Sequence, residues 1–354
     1  MVRDSALNES EGKPSSPHIN PASAKRIRTF RKKELKVEEL LEKILALEKT
    51  ALSKGITLIE SHNPSDHEKA AFLVEGCLPH ANRSIRIGIT GVPGVGKSTF
   101  IEAFGSYLAN MGRKVAVLAV DPTSSLSGGS ILGDKTRMET LVHHPNSFIR
   151  PSPSGDSLGG VARKTRESII LCEAGGFDTI LIETVGVGQS ETTVHSMTDF
   201  FLLLKLAGAG DELQGIKRGI IEMADAIVIN KADGENRKPA EKARSEFRRA
   251  LNLYPAKESG WKPTVSLCSA INQEGIDEIW KKIISFEEQV KRNQYFNYKR
   301  KQQNKFWLLQ TINEQLKSRF YNRPEIREAL HEQMQLVENS EATPFSAAKF
   351  LLNL

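Results

Sequence analysis

The stretch Ile85-Arg86-Ile87-Gly88-Ile89-Thr90-Gly91-Val92-Pro93-Gly94-Val95-Gly96-Lys97-Ser98-Thr99 joins a β-branched apolar run to a glycine-rich turn and a helix-forming segment. Residues 91–98 fit GxxxxGK[ST], and the flanking patterns supply the strand and helix that a phosphate-binding loop requires. Glycines let successive backbone N–H groups turn inward onto phosphate oxygens, and the helix that follows adds its positive N-terminus. Gly91, Val92, Pro93, Gly94, Val95 and Gly96, continued by Thr99, form the expected cradle. Lys97 is expected to neutralise the β- and γ-phosphates, and the Ser98 hydroxyl to ligate Mg²⁺.

Outward from this loop, short apolar runs alternate with helical periodicity, the pattern of βαβ units. Candidate strands are 85–89, 115–120, 179–183, 200–204, 226–230 and 265–268; candidate helices run near 97–110, 158–172, 214–223, 240–251 and 276–289. This predicts an α/β fold with a doubly wound, mostly parallel sheet over 81–290. Residues 1–33 are expected to form a disordered tail and 34–80 a helical extension, with one amphipathic helix over 34–59 and a short one over 66–73. In the arm 291–354, Phe306, Leu309, Ile312, Leu316 and Phe320 fall on one helical stripe, and Ile326, Leu330, Met334 and Val337 on another after Pro324. Such stripes need cover, from the main domain or from a second subunit.

Two later strand ends read as a guanine site. Asp233, in Asn230-Lys231-Ala232-Asp233, can accept from N1–H and the exocyclic amine of guanine, whereas adenine offers it an acceptor and no 2-amino group. A site built to hydrogen-bond a group rejects the analogue lacking it by about 10⁴ or more. Lys231 is expected to lie over the base and Asn230 to tie this loop to the phosphate loop. At the next strand end, in Cys268-Ser269-Ala270, the Ala270 N–H is expected to reach the guanine oxygen.

The run 180–182 leads into Glu183-Thr184-Val185-Gly186, where Glu183 can hold Mg²⁺ or its water and the Gly186 N–H can meet the γ-phosphate. Asp121 at a strand end and Asp134 after a Gly-rich stretch are further candidates to approach the metal.

Composition excludes other classes. No apolar run approaches the ~18 residues of a membrane span. Cys77, Cys172 and Cys268 stand apart without CxxC, and the eight histidines form neither HxH nor HExxH, which argues against disulfides and zinc and for a cytoplasmic protein. Residues 81–280 carry 23 Lys+Arg against 23 Asp+Glu, so the net charge of +6 arises in the flanks. No nucleic-acid-binding pattern accompanies these basic runs.

The longer motifs resemble the MeaB/ArgK group of P-loop GTPases, chaperones of adenosylcobalamin-dependent methylmalonyl-CoA mutase, over roughly residues 35–354. They are Val120-Asp121-Pro122-Thr123-Ser124-Ser125, Gly133-Asp134-Lys135-Thr136-Arg137-Met138, Arg150-Pro151-Ser152-Pro153-Ser154-Gly155, the block 183–191, and Ala207-Gly208-Ala209-Gly210-Asp211 continued to Lys217. The resemblance implies a SIMIBI-type GTPase, a homodimer using the C-terminal arm, and GTP-dependent gating of cobalamin delivery to a mutase client, with protection of that client. It places Asp121 and Asp134 in a first switch, residues 183–189 in a second, and Asp211, Gln214 and Lys217 in a third that senses the mutase. Lys97, Glu183, Asp121 and Lys217 are then the expected catalytic set. The alternatives are a metallocentre-insertion GTPase, which would need Cys/His ligands not clustered in this sequence, and an RNA- or ribosome-associated GTPase using the basic flanks.

Overall fold

In the computed structural model, described over residues 36–61, 63–120, 138–151, 158–184, 190–208 and 218–354, seven parallel strands form one sheet. They are β1 (Ile85–Gly91), β2 (Val115–Val120), β3 (Ser147–Arg150), β4 (Thr179–Thr184), β5 (Phe200–Leu206), β6 (Ala226–Asn230) and β7 (Thr264–Leu267), in the order β3-β2-β4-β1-β5-β6-β7. Every pairing is parallel; Ile87 lies opposite Leu181 of β4 on one side and Phe200 of β5 on the other. Strands buried on both faces read as continuous apolar runs, which is why six of the seven were legible. The four-residue edge strand β3 was not, because only Phe148 and Ile149 give it apolar character.

Alternate residues of β1 face two cores. Ile85, Ile87 and Ile89 pack beneath α4 (Lys97–Asn110) and α10 (Ile276–Arg292), whose Phe100, Phe104, Trp280 and Ile283 are buried there. The opposite face, through Ile180 and Ile182 of β4, meets α6 (Leu158–Ala174) and the N-terminal helices α1 (Val37–Leu45), α2 (Lys49–Glu60) and α3 (Pro64–Cys77). All three cysteines are buried and free, as small apolar groups.

The single helix expected over 34–59 is two. Leu47 adopts φ 66°, its N–H donates to Ile44 O and the Glu48 N–H to Lys43 O, the pair of hydrogen bonds that closes a helix C-terminus. Leu occupies the left-handed position where Gly or Asn would have signalled the stop. The remaining elements are α5 (Glu139–His143), α7 (Ser190–His195), α8 (Arg218–Met223), α9 (Arg237–Leu251), α11 (Tyr295–Tyr321), α12 (Pro324–Glu338) and α13 (Pro344–Leu352).

The inward face of α11 is not the apolar stripe but Arg300, Gln303 and Trp307. Phe306, Leu309 and Leu316 remain 43%, 62% and 58% exposed. Arg300 reaches the N-terminal edge of the sheet. There its guanidinium donates to the Asp199 carboxylate at 2.9 and 2.7 Å, while Arg86 grips Glu173 at 3.0 and 2.9 Å. The Ser84 hydroxyl adds a bond to Glu173 at 2.6 Å. Buried charges persist only when paired and hydrogen-bonded in this way.

Candidate active site

The strand order reverses around β1, with β4, β2 and β3 on one side and β5, β6 and β7 on the other, so a crevice opens beyond the carboxyl ends of the strands. β1 delivers the phosphate loop into it, and α4 begins at Lys97. Gly96 takes φ 90°, and a Cβ there would stand 2.9 Å from Asn230 Nδ2. Glycine is required both for backbone conformation and to let the neighbouring loop approach. Val95 is fully buried, while Pro93, Gly94 and Thr99 are exposed.

Lys97 folds back over its loop, Nζ donating to Gly91 O at 2.9 Å and Val92 O at 3.4 Å. Burial lowers its pKa, against the opposing fields of Glu183 and Glu191. Glu191, buried in the first turn of α7, belongs to a family-like motif but was not singled out from sequence as a site residue. Only its fold-dependent proximity to Lys97 marks it.

At the tip of β4 the Thr184 hydroxyl donates to Thr90 Oγ1 at 2.8 Å, pinning β4 to β1. Beside this pair Ser98 Oγ donates to Glu183 Oε1 at 3.4 Å. A hydroxyl and a carboxylate at one strand tip are the hard oxygen donors that Mg²⁺ prefers, so these residues fit the ion. No cluster of three or more His, Cys, Asp or Glu side chains suited to a metal occurs among the described residues. Asp121, Asp134, Gly186, Asp211, Gln214 and Lys217 lie outside the described residues.

Across the crevice, Asn230 Nδ2 donates to Val95 O at 2.9 Å, and Lys231 Nζ donates to Gly94 O at 2.9 Å. The Ala270 N–H points to Asn230 Oδ1 at 3.4 Å. The Ser269 hydroxyl donates to Asp233 Oδ2 at 2.5 Å and accepts from the Asn272 N–H at 3.2 Å. This aims the Asp233 carboxylate and occupies one of its oxygens. The structure thus brings residues 91–98, Glu183, Asn230, Lys231, Asp233, Ser269 and Ala270 to one crevice, with the Asp233 carboxylate at one end and Lys97 at the other.

Residues 52–325 match the family model described as methylmalonyl Co-A mutase-associated GTPase MeaB. A probable GTPase of Mycobacterium tuberculosis is 46% identical over 318 residues, 90% of this chain and 95% of that one. GTPase ArgK of Escherichia coli is 42% identical over 311 residues, 88% and 94% of the two chains. The mouse methylmalonic aciduria type A homolog, described as mitochondrial, is 44% identical over 326 residues, 89% and 79% respectively. A crystal structure of a LAO/AO transport system kinase superposes with a TM-score of 0.72 at 36% identity, covering 91% of this chain and 98% of that one. The chain is thus a P-loop GTPase and belongs to the MeaB family.

Proposed function

We propose that this GTPase uses Mg²⁺ and acts as a chaperone of an adenosylcobalamin-dependent acyl-CoA mutase, methylmalonyl-CoA mutase or a close relative, gating cofactor loading and protecting the client. The bonding of the Asn230–Asp233 loop to the phosphate loop carries the nucleotide part of this reading. The mutase part draws on the family description and on the name of the mouse relative.

Guanine enters against Asp233, and the phosphates displace the Gly91 and Val92 carbonyls as partners of Lys97. Water then attacks the γ-phosphorus; the new P–O bond forms as the bond to the GDP oxygen breaks, giving GDP, phosphate and a proton. Lys97 neutralises charge on the transferring group, and the loop amides hold it in line. Ser98 and Glu183, with Asp121 and Asp134, would hold Mg²⁺, which supplies charge neutralisation on the phosphate oxygens. Asp211, Gln214 and Lys217 are assigned to sensing the client.

The arm 291–354 is assigned to homodimerisation, favoured by the exposed stripe on α11. The further assignments are a tail over 1–33, a helical extension over 34–80, a GTPase domain over 81–290, and cytoplasmic residence. Among the described residues no helix is long and apolar enough to cross a membrane. A pull-down with GTP or GDP, followed by identification of the retained protein, tests the client. A cobalamin-dependent mutase held in only one nucleotide state is the expected result, and its absence in both states would overturn the assignment.

A further inference from the structure

Four residues on one face of α11 meet a short segment, the connector 196–199 between α7 and β5. Lys299 Nζ donates to Asp199 O at 2.8 Å and Gln303 Nε2 to Thr198 O at 2.8 Å. Trp307 Nε1 donates to Ser196 O at 3.4 Å, and Arg300 holds the Asp199 carboxylate. Asp199 Oδ2 in turn accepts the backbone N–H of Arg86 in β1 at 2.8 Å. The Arg300–Asp199 pair anchors the helix to the sheet, with Arg300 also donating to Ser84 O at 2.7 Å. Gln303 and Trp307 add two directed bonds to carbonyls immediately behind α7.

The connector and α7 lie directly on the strand that feeds the phosphate loop. At Gly88 of β1 a Cβ would stand 3.0 Å from Val194 Cγ1 of α7 and 3.1 Å from Thr198 Cγ2 of the connector. At its other end α7 carries the buried Glu191, whose negative charge opposes the lowering of the Lys97 pKa by burial. On the far flank of α7 lies a cavity of about 560 Å³, lined among others by Thr192, His195, Glu222, Lys257, Tyr295 and Lys299. A helix with a cavity on one flank is not locked by packing on that side, so its place depends on what holds its ends.

We propose that Gln303 and Trp307 are positioning residues for GTP hydrolysis: by holding residues 196–199 they fix α7 and the connector against β1, the strand that carries the phosphate loop. The C-terminal helix is then part of the hydrolytic machinery as well as an arm. This reading requires basal GTPase activity alone and no partner protein.

The test uses the full chain carrying Gln303→Leu or Trp307→Phe, each lacking the N–H donor. Basal hydrolysis is followed by phosphate release, with circular dichroism and light scattering as controls on fold and mass. The expected result is a kcat lower by about fivefold or more in both variants, the low end of typical coupling between sites, with KM for GTP and the preference over ATP unchanged. A purely structural role would lower the melting temperature and leave kcat per folded molecule alone. A smaller loss of kcat in either folded variant overturns the proposal. Should a variant fail to fold, hydrogen exchange on the unaltered chain decides. Protection of 190–199 and 299–307 should change together when a non-hydrolysable GTP analogue binds, and unchanged protection over 299–307 overturns the proposal.

Discussion

The side-chain amide of Asn230 donates to the backbone carbonyl of Val95 across 2.9 Å, joining the end of β6 to the phosphate loop 135 residues earlier. Both residues are buried, so this bond is shielded from water and couples the base-reading loop to the phosphate-reading loop.

Replacing Asn230 with Ala should therefore weaken GTP and GDP together. Leaving the Val95 carbonyl and the Ala270 N–H unpaired costs about 1–3 kcal/mol, or roughly 5–150-fold in Kd. Titration of a fluorescent GDP analogue measures it. Asp233→Asn should act differently, reversing the match to guanine and favouring xanthine nucleotides in competition assays. An Asp233→Asn chain that still preferred GTP would remove Asp233 from base recognition.

Lys97→Ala should reduce hydrolysis by about 10²–10³ or more, the typical cost of removing a positioned donor from a developing charge. Ser98→Ala should make nucleotide binding less dependent on added Mg²⁺. Phosphate release and titrations at varied Mg²⁺ read the two effects, and wild-type turnover in Lys97→Ala is incompatible with the assignment.

Acidification should destabilise the fold in two stages. Burial, with Lys299 beside it, pulls the His195 imidazole down to about 4. The unfolded chain, with an ordinary value near ~6.5, takes up that proton first, so the contribution is full above about pH 6.5 and is lost as pH falls towards 4. Below that, Glu173 and Asp199 follow. Burial alone would raise them, but Arg86 and Arg300 hold both below the ordinary carboxylate value, so their contribution is lost as pH falls through those lowered values. Urea midpoints between pH 7.5 and about 2 measure both stages, and His195→Gln should flatten only the upper one.

Glu173→Ala strands the Arg86 guanidinium, which pairs with Glu173 directly, whereas Arg300 keeps the Asp199 carboxylate. Breaking a buried pair from one side costs about 3–5 kcal/mol. The denaturant midpoint should fall accordingly, whereas loss of a surface ion pair such as Lys281–Asp277 should change it by under about 1 kcal/mol.

Ending the chain near Gln289 is a poor test of dimerisation, since it also removes Arg300 from Asp199. Ile312→Glu and Leu316→Glu on the exposed stripe leave the inward face of α11 intact. Light scattering should then report a monomer where the unaltered chain is a dimer. A double variant that stays dimeric would move the interface elsewhere.

The sequence by itself determined the α/β class, six of the seven strands, the phosphate loop and the guanine-type motif. Each is written in local terms, as a two- or 3.6-residue periodicity or a short motif with fixed offsets. Tertiary structure decided the rest. The stop at Leu47 carried no glycine to announce it, and β3 is an edge strand too short to show a period. Glu191 becomes relevant to Lys97 only when α7 is laid against β1 and β4. The sequence left the Phe306–Leu309–Leu316 stripe to be covered by the main domain or a second subunit and gave the basic run around Arg300 no partner. The fold turns Arg300 and Gln303 inward, because charged and amide groups can be buried where a carboxylate and backbone carbonyls receive them, and those partners lie about a hundred residues away in the chain.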